Sequence, residues 1–264
     1  MFLESTSLPY TPKRIISLVP SQTELLHYLG LEDETVGITK FCVHPDDWFR
    51  NKVRIGGTKT INRKTIDELK PDLIIANKEE NVKEQIDDLA IDHPVYVTDV
   101  NDLAGALEMI YNIGTLTGKR QESLDLNHKI WTQFQELKDL ITDPIPAAYL
   151  IWREPYMTVG GDTFINDMMN LCGFTNVFAE KKRYPEIEIS QLSTVPRRAE
   201  SRGPLLFLSS EPYPFKEKHI QELQSLLPNT KILLVDGEMF SWYGSRLLMA
   251  TEYFKELRTK IIEG

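Results

Sequence analysis

Aromatic, basic and imidazole side chains gather where this chain leaves an apolar run. Phe41, Cys42 and His44 follow Thr35-Val-Gly-Ile38, and Lys59 follows Gly56-Gly57. Trp152, Arg153, Tyr156 and Met157 come directly after Ala147-Ala-Tyr-Leu-Ile151. Phe240, Trp242, Tyr243 and Arg246 crowd the approach to the last helical stretch. Flat aromatic faces cover a large apolar ligand and lose little rotamer freedom in doing so. Lys59, Arg153 and Arg246 could pair with carboxylate, amide or phosphate groups on its rim. A neutral His44 imidazole could serve as a metal ligand. Taken singly, each aromatic is more often core than contact; their shared placement in loops is what favours contact.

Other chemistry is missing from the sequence. It has no G-x-S-x-G elbow, no P-loop, no G-x-G-x-x-G after a strand and no H-E-x-x-H. Gly56-Gly57 and Gly160-Gly161 are too short to cradle a phosphate chain. Cys42 and Cys172 are too few for a disulfide framework and lack metal-site spacing. Cys172, in an apolar run, reads as core. The net charge of −9 argues against nucleic acid or an anionic membrane as partner. No stretch approaches the roughly 18 apolar residues of a membrane span. Met1 to Lys13 contain no apolar run of signal-peptide length, so the sequence as written is expected in the cytoplasm, or in the periplasm if it has been trimmed.

The elements that must hold these loops occur twice. In the first half, Arg14 to Val19 reads as a buried strand and Ser21-Gln-Thr-Glu24 as a capping box opening a helix with apolar Leu25, Leu26 and Leu29, ended by Gly30. A short helix (Thr65 to Leu69), a strand (Asp72 to Ala76), a helix (Asn81 to Leu89) and a strand (Val95 to Thr98) follow. The second half repeats the order: strand Ala147 to Ile151, helix Thr163 to Cys172 stopped by Gly173, turn Ile189 to Leu192, strand Leu205 to Ser209, helix Lys216 to Leu227 and strand Lys231 to Asp236. Leu29-Gly30-Leu31 answers Cys172-Gly173-Phe174, and Val97-Thr98-Asp99 answers Leu234-Val235-Asp236. Strands alternating with helices imply parallel sheets covered on both faces. The expected fold is α/β, with two Rossmann-like lobes; one long single sheet is the alternative.

Between the halves, Lys119 to Ile141 lacks proline and glycine, and Leu126, Ile130, Phe134, Leu137 and Ile141 recur at helical spacing. One helix of this length spans about 34 Å. It reads as a rigid strut, and Trp131 on it is expected to support stability. The expected division is an N-terminal lobe, residues 1–118, a connecting helix, 119–143, and a C-terminal lobe, 144–264.

Two α/β lobes joined by a long helix resemble the class III substrate-binding proteins of ABC importers. The residues that carry the resemblance are Arg14-Ile-Ile-Ser-Leu-Val-Pro-Ser-Gln-Thr-Glu24, Gly56-Gly-Thr58, Ile66-Asp-Glu-Leu-Lys-Pro-Asp-Leu-Ile-Ile75 and Ser245-Arg246. The cobalamin-binding branch is the most similar. The resemblance implies a monomeric solute binder without enzymatic activity or intrinsic cofactor. Its ligand would be cobalamin or another metal chelate, such as haem or a ferric siderophore, held in a cleft between the lobes. It places Phe41 and Tyr184 at contact positions, and Lys59 where some relatives have tryptophan. It also implies an ABC permease as partner, although the family's two docking glutamates correspond here to Lys64 and Ser190, with Asp67, Glu68, Glu186 and Glu188 close by. The enzymatic alternative is a tetrapyrrole metal chelatase of related two-lobed fold, which would need a histidine and a carboxylate converging on the macrocycle.

Overall fold

Apolar runs flanked by parallel neighbours can satisfy their backbone only from both sides, which puts Ile15 and Ile16 at the centre of a sheet. The computed structural model describes residues 1–3, 8–194 and 205–263; the N-terminal stretch read above for a leader falls partly outside them. Strand β1 (Ile15–Ser17) lies between β2 (Thr35–Ile38) and β4 (Leu73–Asn77) in an all-parallel sheet of order β3-β2-β1-β4-β5. Strands β3 (Val53–Arg54) and β5 (Val95–Thr98) form its edges. Leu18, Ile55, Ile66, Ile74 and Leu89 complete the core beside it.

The helices of this half are α1 (Pro20–Tyr28), α2 (Asp46–Asn51), α3 (Arg63–Leu69), α4 (Lys83–Asp92) and α5 (Leu103–Leu116). The capping box expected at Ser21 does not form. Val19 is the N-cap, with extended backbone, and Pro20 opens the helix. Its missing N–H costs nothing in a first turn. The Glu24 carboxylate is turned instead toward Arg246. At the other end Gly30, at φ +69°, donates to the His27 carbonyl while Leu31 N–H reaches the Leu26 carbonyl, a Schellman stop.

Helix α6 (Arg120–Asp139) buries Leu126, Ile130, Phe134 and Leu137 along one stripe. Gly118, at φ +74°, precedes its start, and Ile141 lies beyond its end. Trp131 is 51% exposed, so it is not the packed strut residue expected.

The second sheet repeats the first. Strand β6 (Ile145–Trp152) is central, flanked by β8 (Phe174–Asn176) and β9 (Leu205–Ser209), with β10 (Lys231–Val235) outside β9, all parallel. A two-residue strand β7 (Met157–Thr158) adds an antiparallel pairing at the far end of β6. Around them lie α7 (Phe164–Leu171), a 3-10 turn (Ile189–Thr194), α8 (Glu217–Leu226), α9 (Gly237–Ser241) and α10 (Leu247–Glu263). Two sheets, not one, divide the described residues.

Two compact units result. The first comprises Met1–Val100, Ala104–Trp131 and Trp242–Leu247, and the second Asn101–Leu103, Thr132–Ser241 and Leu248–Gly264. The segment Trp242–Leu247, from the C-terminal half of the sequence, thus packs with the first unit. Helix α6 is shared, its residues up to Trp131 counting with the first unit and the rest with the second.

The two matched glycines that stop α1 and α7 differ in their surroundings. Gly173, at φ +82°, carries the carbonyl that accepts from Arg258 Nη1 at 2.9 Å, and a Cβ there would overlap that guanidinium. Arg258 has little freedom to yield, since its Nη2 also donates to the Asp143 carbonyl at 2.7 Å. A Cβ on Gly30 meets nothing closer than Lys119 Nζ at 3.9 Å. Gly30→Ala should therefore cost only the left-handed backbone, about 1 kcal/mol, and Gly173→Ala about 2–3 kcal/mol through the added clash. Thermal melting should show Gly173→Ala lowering Tm at least twice as far as Gly30→Ala.

Candidate functional site

Loops after parallel strands all leave one edge of the sheet, so each unit has a single rim where side chains from distant segments meet. In the first unit the loop after β2 is held from inside. The Thr23 hydroxyl donates to Cys42 Sγ at 3.1 Å, and the Thr39 hydroxyl lies 3.2 Å from the same sulfur. Burial raises the Cys42 pKa, so the thiol anchors the loop as a neutral group. With Cys42 inside, Phe41 is pushed out and stands 50% exposed, its ring above Gly57. A Cβ at Gly57 would come within 3.1 Å of that ring, close enough that the ring would have to shift. Lys40 Nζ lies 5.1 Å from the Phe41 centroid. Lys59 donates to the Glu79 carbonyl at 2.5 Å.

Asn81 ties three of these loops together. Its Nδ2 donates to the Leu18 and Thr58 carbonyls, at 3.4 and 3.1 Å, and its Oδ1 accepts from Asn77 N–H at 2.8 Å. Sequence reading assigned it only to a helix start.

The same rim receives residues 242–247. Arg246 donates from Nε and Nη2 to the two carboxylate oxygens of Glu24, at 3.0 and 2.8 Å, and its guanidinium lies 4.8 Å from the Trp242 centroid. Trp242 meets His44 edge-on at 5.6 Å. Trp242 and Tyr243 are each 7% exposed and Arg246 6%. Although the loop reads as a contact surface in sequence, both its aromatics are packed, and Arg246 is neutralised by a bidentate carboxylate. His44 is half-buried against Trp242. Among the described residues no cluster of three or more His, Cys, Asp or Glu could hold a metal ion.

In the second unit Trp152 ends β6 and is 40% exposed. Its ring meets Tyr213 at 5.8 Å, and Tyr213 in turn meets Phe215 at 4.7 Å and His219 at 5.5 Å. Arg153 is bonded to Glu222 at 2.7 Å. The Tyr213 hydroxyl first, then Tyr156 and the carboxylates Glu222 and Glu154, raise its pKa further. Tyr213 was missed in the sequence, since no apolar periodicity marks the loop after β9. Tyr184 is half-buried under the Arg183 guanidinium, 5.6 Å from the ring centroid. The structure thus leaves Phe41 and Trp152 as the accessible aromatic faces among the expected contacts, with Tyr184 and Tyr156 partly covered. It engages Lys59, Arg153 and Arg246 with protein acceptors.

Two units of parallel sheet, each with a loop rim lined by aromatics, define a solute-binding protein. The chain belongs to the periplasmic binding protein family, whose model matches residues 15–199. It is similar to a vitamin B12-binding protein of Vibrio cholerae, 27% identical over 188 residues that make up 70% of this chain and 68% of that one. The crystal structure of a periplasmic vitamin B12-binding protein of Vibrio cholerae matches with a TM-score of 0.77 at 24% identity, covering 95% of this chain and 99% of that one. A periplasmic haem-binding protein from Pseudomonas aeruginosa matches with a TM-score of 0.78 at 16% identity, covering 93% and 92%. These two likenesses speak for the fold. The family consists of solute binders rather than enzymes, and the chelatase alternative finds no support in the comparisons.

Burial separates the two tryptophans experimentally. Trp242→Ala should cost about 3–5 kcal/mol of stability, as removal of a packed aromatic does. Trp152→Ala should leave the melting temperature within a few degrees of the native value, because its ring is already in contact with water. Equal losses in a melting series would contradict the packing described.

His219 offers a second test. It is buried, its Nδ1 accepts from Lys216 N–H at 2.8 Å, and burial lowers its pKa below the usual imidazole value. A group depressed in the folded state stabilises above its unfolded pKa, about 6.5 for histidine, and that contribution fades as pH falls through the lower folded value. Melting temperature should therefore decline as pH drops below about 6.5, and His219→Gln should flatten the decline in that window.

Proposed function

We propose that the protein binds a corrinoid of the cobalamin type, or failing that an iron chelate, as cargo for ABC-type import. The observation that supports this reading most is the pair of accessible aromatic faces, Phe41 and Trp152, one on the strand-end rim of each unit, in a chain of the periplasmic binding protein family. Such faces suit a broad apolar macrocycle, whose desolvation supplies binding free energy that small polar solutes lack. Tyr156, Tyr184, Trp242 and Tyr243 are the further aromatic candidates for contact, and Lys59, Arg153 and Arg246 the polar ones, each already paired within the protein. His44 is the candidate for an axial contact to the ligand's metal. The metal chelate is substrate, not resident cofactor. By analogy with the periplasmic relatives we place the protein in the periplasm, and we propose that it acts as a monomer delivering its ligand to a membrane permease.

Absorption titrations with cobalamin, hemin and a ferric hydroxamate siderophore test the ligand. Cobalamin should shift its visible bands saturably; no shift with any of the three would refute the reading. Removing an aromatic anchor at a hot spot costs on the order of 2 kcal/mol, about thirtyfold in affinity. Trp152→Ala and Phe41→Ala should each weaken cobalamin binding by about that factor.

Permease docking rests on acids. Lys64 is 87% exposed and lies 3.9 Å from the Glu68 carboxylate, which it partly neutralises, while Ser190 is exposed on the second unit. Lys64→Glu with Ser190→Glu should strengthen capture by a cobalamin ABC permease in detergent. If the native chain already binds tightly and Glu68→Ala with Glu186→Ala abolishes it, those neighbouring acids serve instead.

A further inference from the structure

The cations expected to meet the ligand have protein acceptors already. Arg246 is paired with Glu24, Arg153 with Glu222, and Lys59 with the Glu79 carbonyl. A carboxylate on the ligand's rim would have to compete with these partners. A polar cavity of about 440 Å³ in the second unit has the opposite character. Its walls include Asn101, Asp102, Asp162, Asn166, Asp167 and Arg183. Arg183 joins it to the candidate contacts, since its guanidinium covers Tyr184.

Two of the carboxylates are not used up by the fold. Asp162 accepts from Arg183 N–H through Oδ1 at 2.6 Å, and Asp167 accepts from Leu103 N–H through Oδ2 at 2.8 Å. Asp162 Oδ2 and Asp167 Oδ1 make no hydrogen bond among the described residues. Carboxylate oxygens only accept, so the groups that suit this cavity are N–H donors, and a further carboxylate there would be repelled. Arg183, the one cation in the wall, bonds Asn101 Oδ1 at 3.3 Å besides covering Tyr184.

We infer that this cavity is a subsite for carboxamide side chains on the rim of the ligand, and that Asp162 and Asp167 make the protein discriminate against ligands whose rim carries carboxylates. The inference rests on the corrinoid reading above. It adds a place and a cause for selectivity within ligands that share a flat metal-bearing ring: corrinoid rims carry carboxamides, porphyrin rims carry propionates.

The test uses cyanocobalamin, its isomeric monoacids in which one peripheral carboxamide is hydrolysed to a carboxylate, and hemin, each titrated at neutral pH by tryptophan quenching and absorption. One or more monoacids should bind the native chain about tenfold or more weakly than cyanocobalamin, the effect of exchanging a charge-assisted hydrogen bond for a repulsion. Hemin should also bind more weakly. Asp162→Asn with Asp167→Asn should bring the affected monoacids to within about twofold of cyanocobalamin. Asp162→Asn and Asp167→Asn each keep a side-chain oxygen to accept from Arg183 N–H and Leu103 N–H, so the local backbone should persist; melting curves check this, and Asp162→Asn alone is the fallback if the double variant melts early. The subsite is overturned if every monoacid binds the native chain as cyanocobalamin does, or if the folded variant keeps the full gap. Failure of the native chain to bind cyanocobalamin would overturn the corrinoid reading itself, and the inference with it.

Discussion

A parallel strand buried on both faces has nowhere to display chemistry except its ends, and that constraint governs the whole molecule. Strands β1, β4 and β9 are buried along their full length. Their side chains pack under helices, and their backbone groups are used by neighbouring strands. Each parallel connection then returns the chain to start again from the same direction. The loops at the carboxyl ends become a surface where residues far apart in sequence converge. Phe41, Thr58, Asn81 and Gly244 share the first rim for this reason, and Trp152 and Tyr213 share the second.

Rims made of loops need internal anchors, because loop backbone lacks a ladder to satisfy it. The first unit uses three kinds. Cys42 sits between the hydroxyls of Thr23 and Thr39, Asn81 bonds carbonyls of two other loops, and Arg246 grips Glu24 across 222 residues of sequence. The Arg246 pair is the most consequential. A buried ion pair brings little net stability, but removal of one partner strands the other charge, so the geometry is strongly specified. It fixes Trp242 beneath the guanidinium and Gly244 against the Ser21 carbonyl, where φ of +113° and a Cβ distance of 3.3 Å leave room only for glycine. Rigid anchors of this kind lower the ordering cost of binding a ligand.

Charge is arranged with equal economy. Most basic residues near the rims face carboxylates or carbonyls of the same unit, and the second unit's polar cavity concentrates acceptors. An overall charge of −9 agrees with a protein whose partner is a small molecule rather than a polyanion.

The sequence by itself determined the element order, the doubled plan and the long apolar stripe, since buried strands and amphipathic helices are written in local periodicity. It placed β5 and β9 at the observed bounds, and Gly30 and Gly173 as helix stops, because a left-handed residue is a local requirement. It passed over α2, β7 and β8, which are too short to show a period. It took Ser21 for a cap, since a capping box can be read locally while the pull of Arg246 on Glu24 cannot. Only the tertiary structure decided which loop aromatics are accessible. Phe41 and Trp242 look alike in sequence, each a ring beside polar neighbours in a loop. Their fates differ because burial depends on what the fold places opposite: Gly57 beneath an open ring in one case, His44 and Arg246 closing over it in the other.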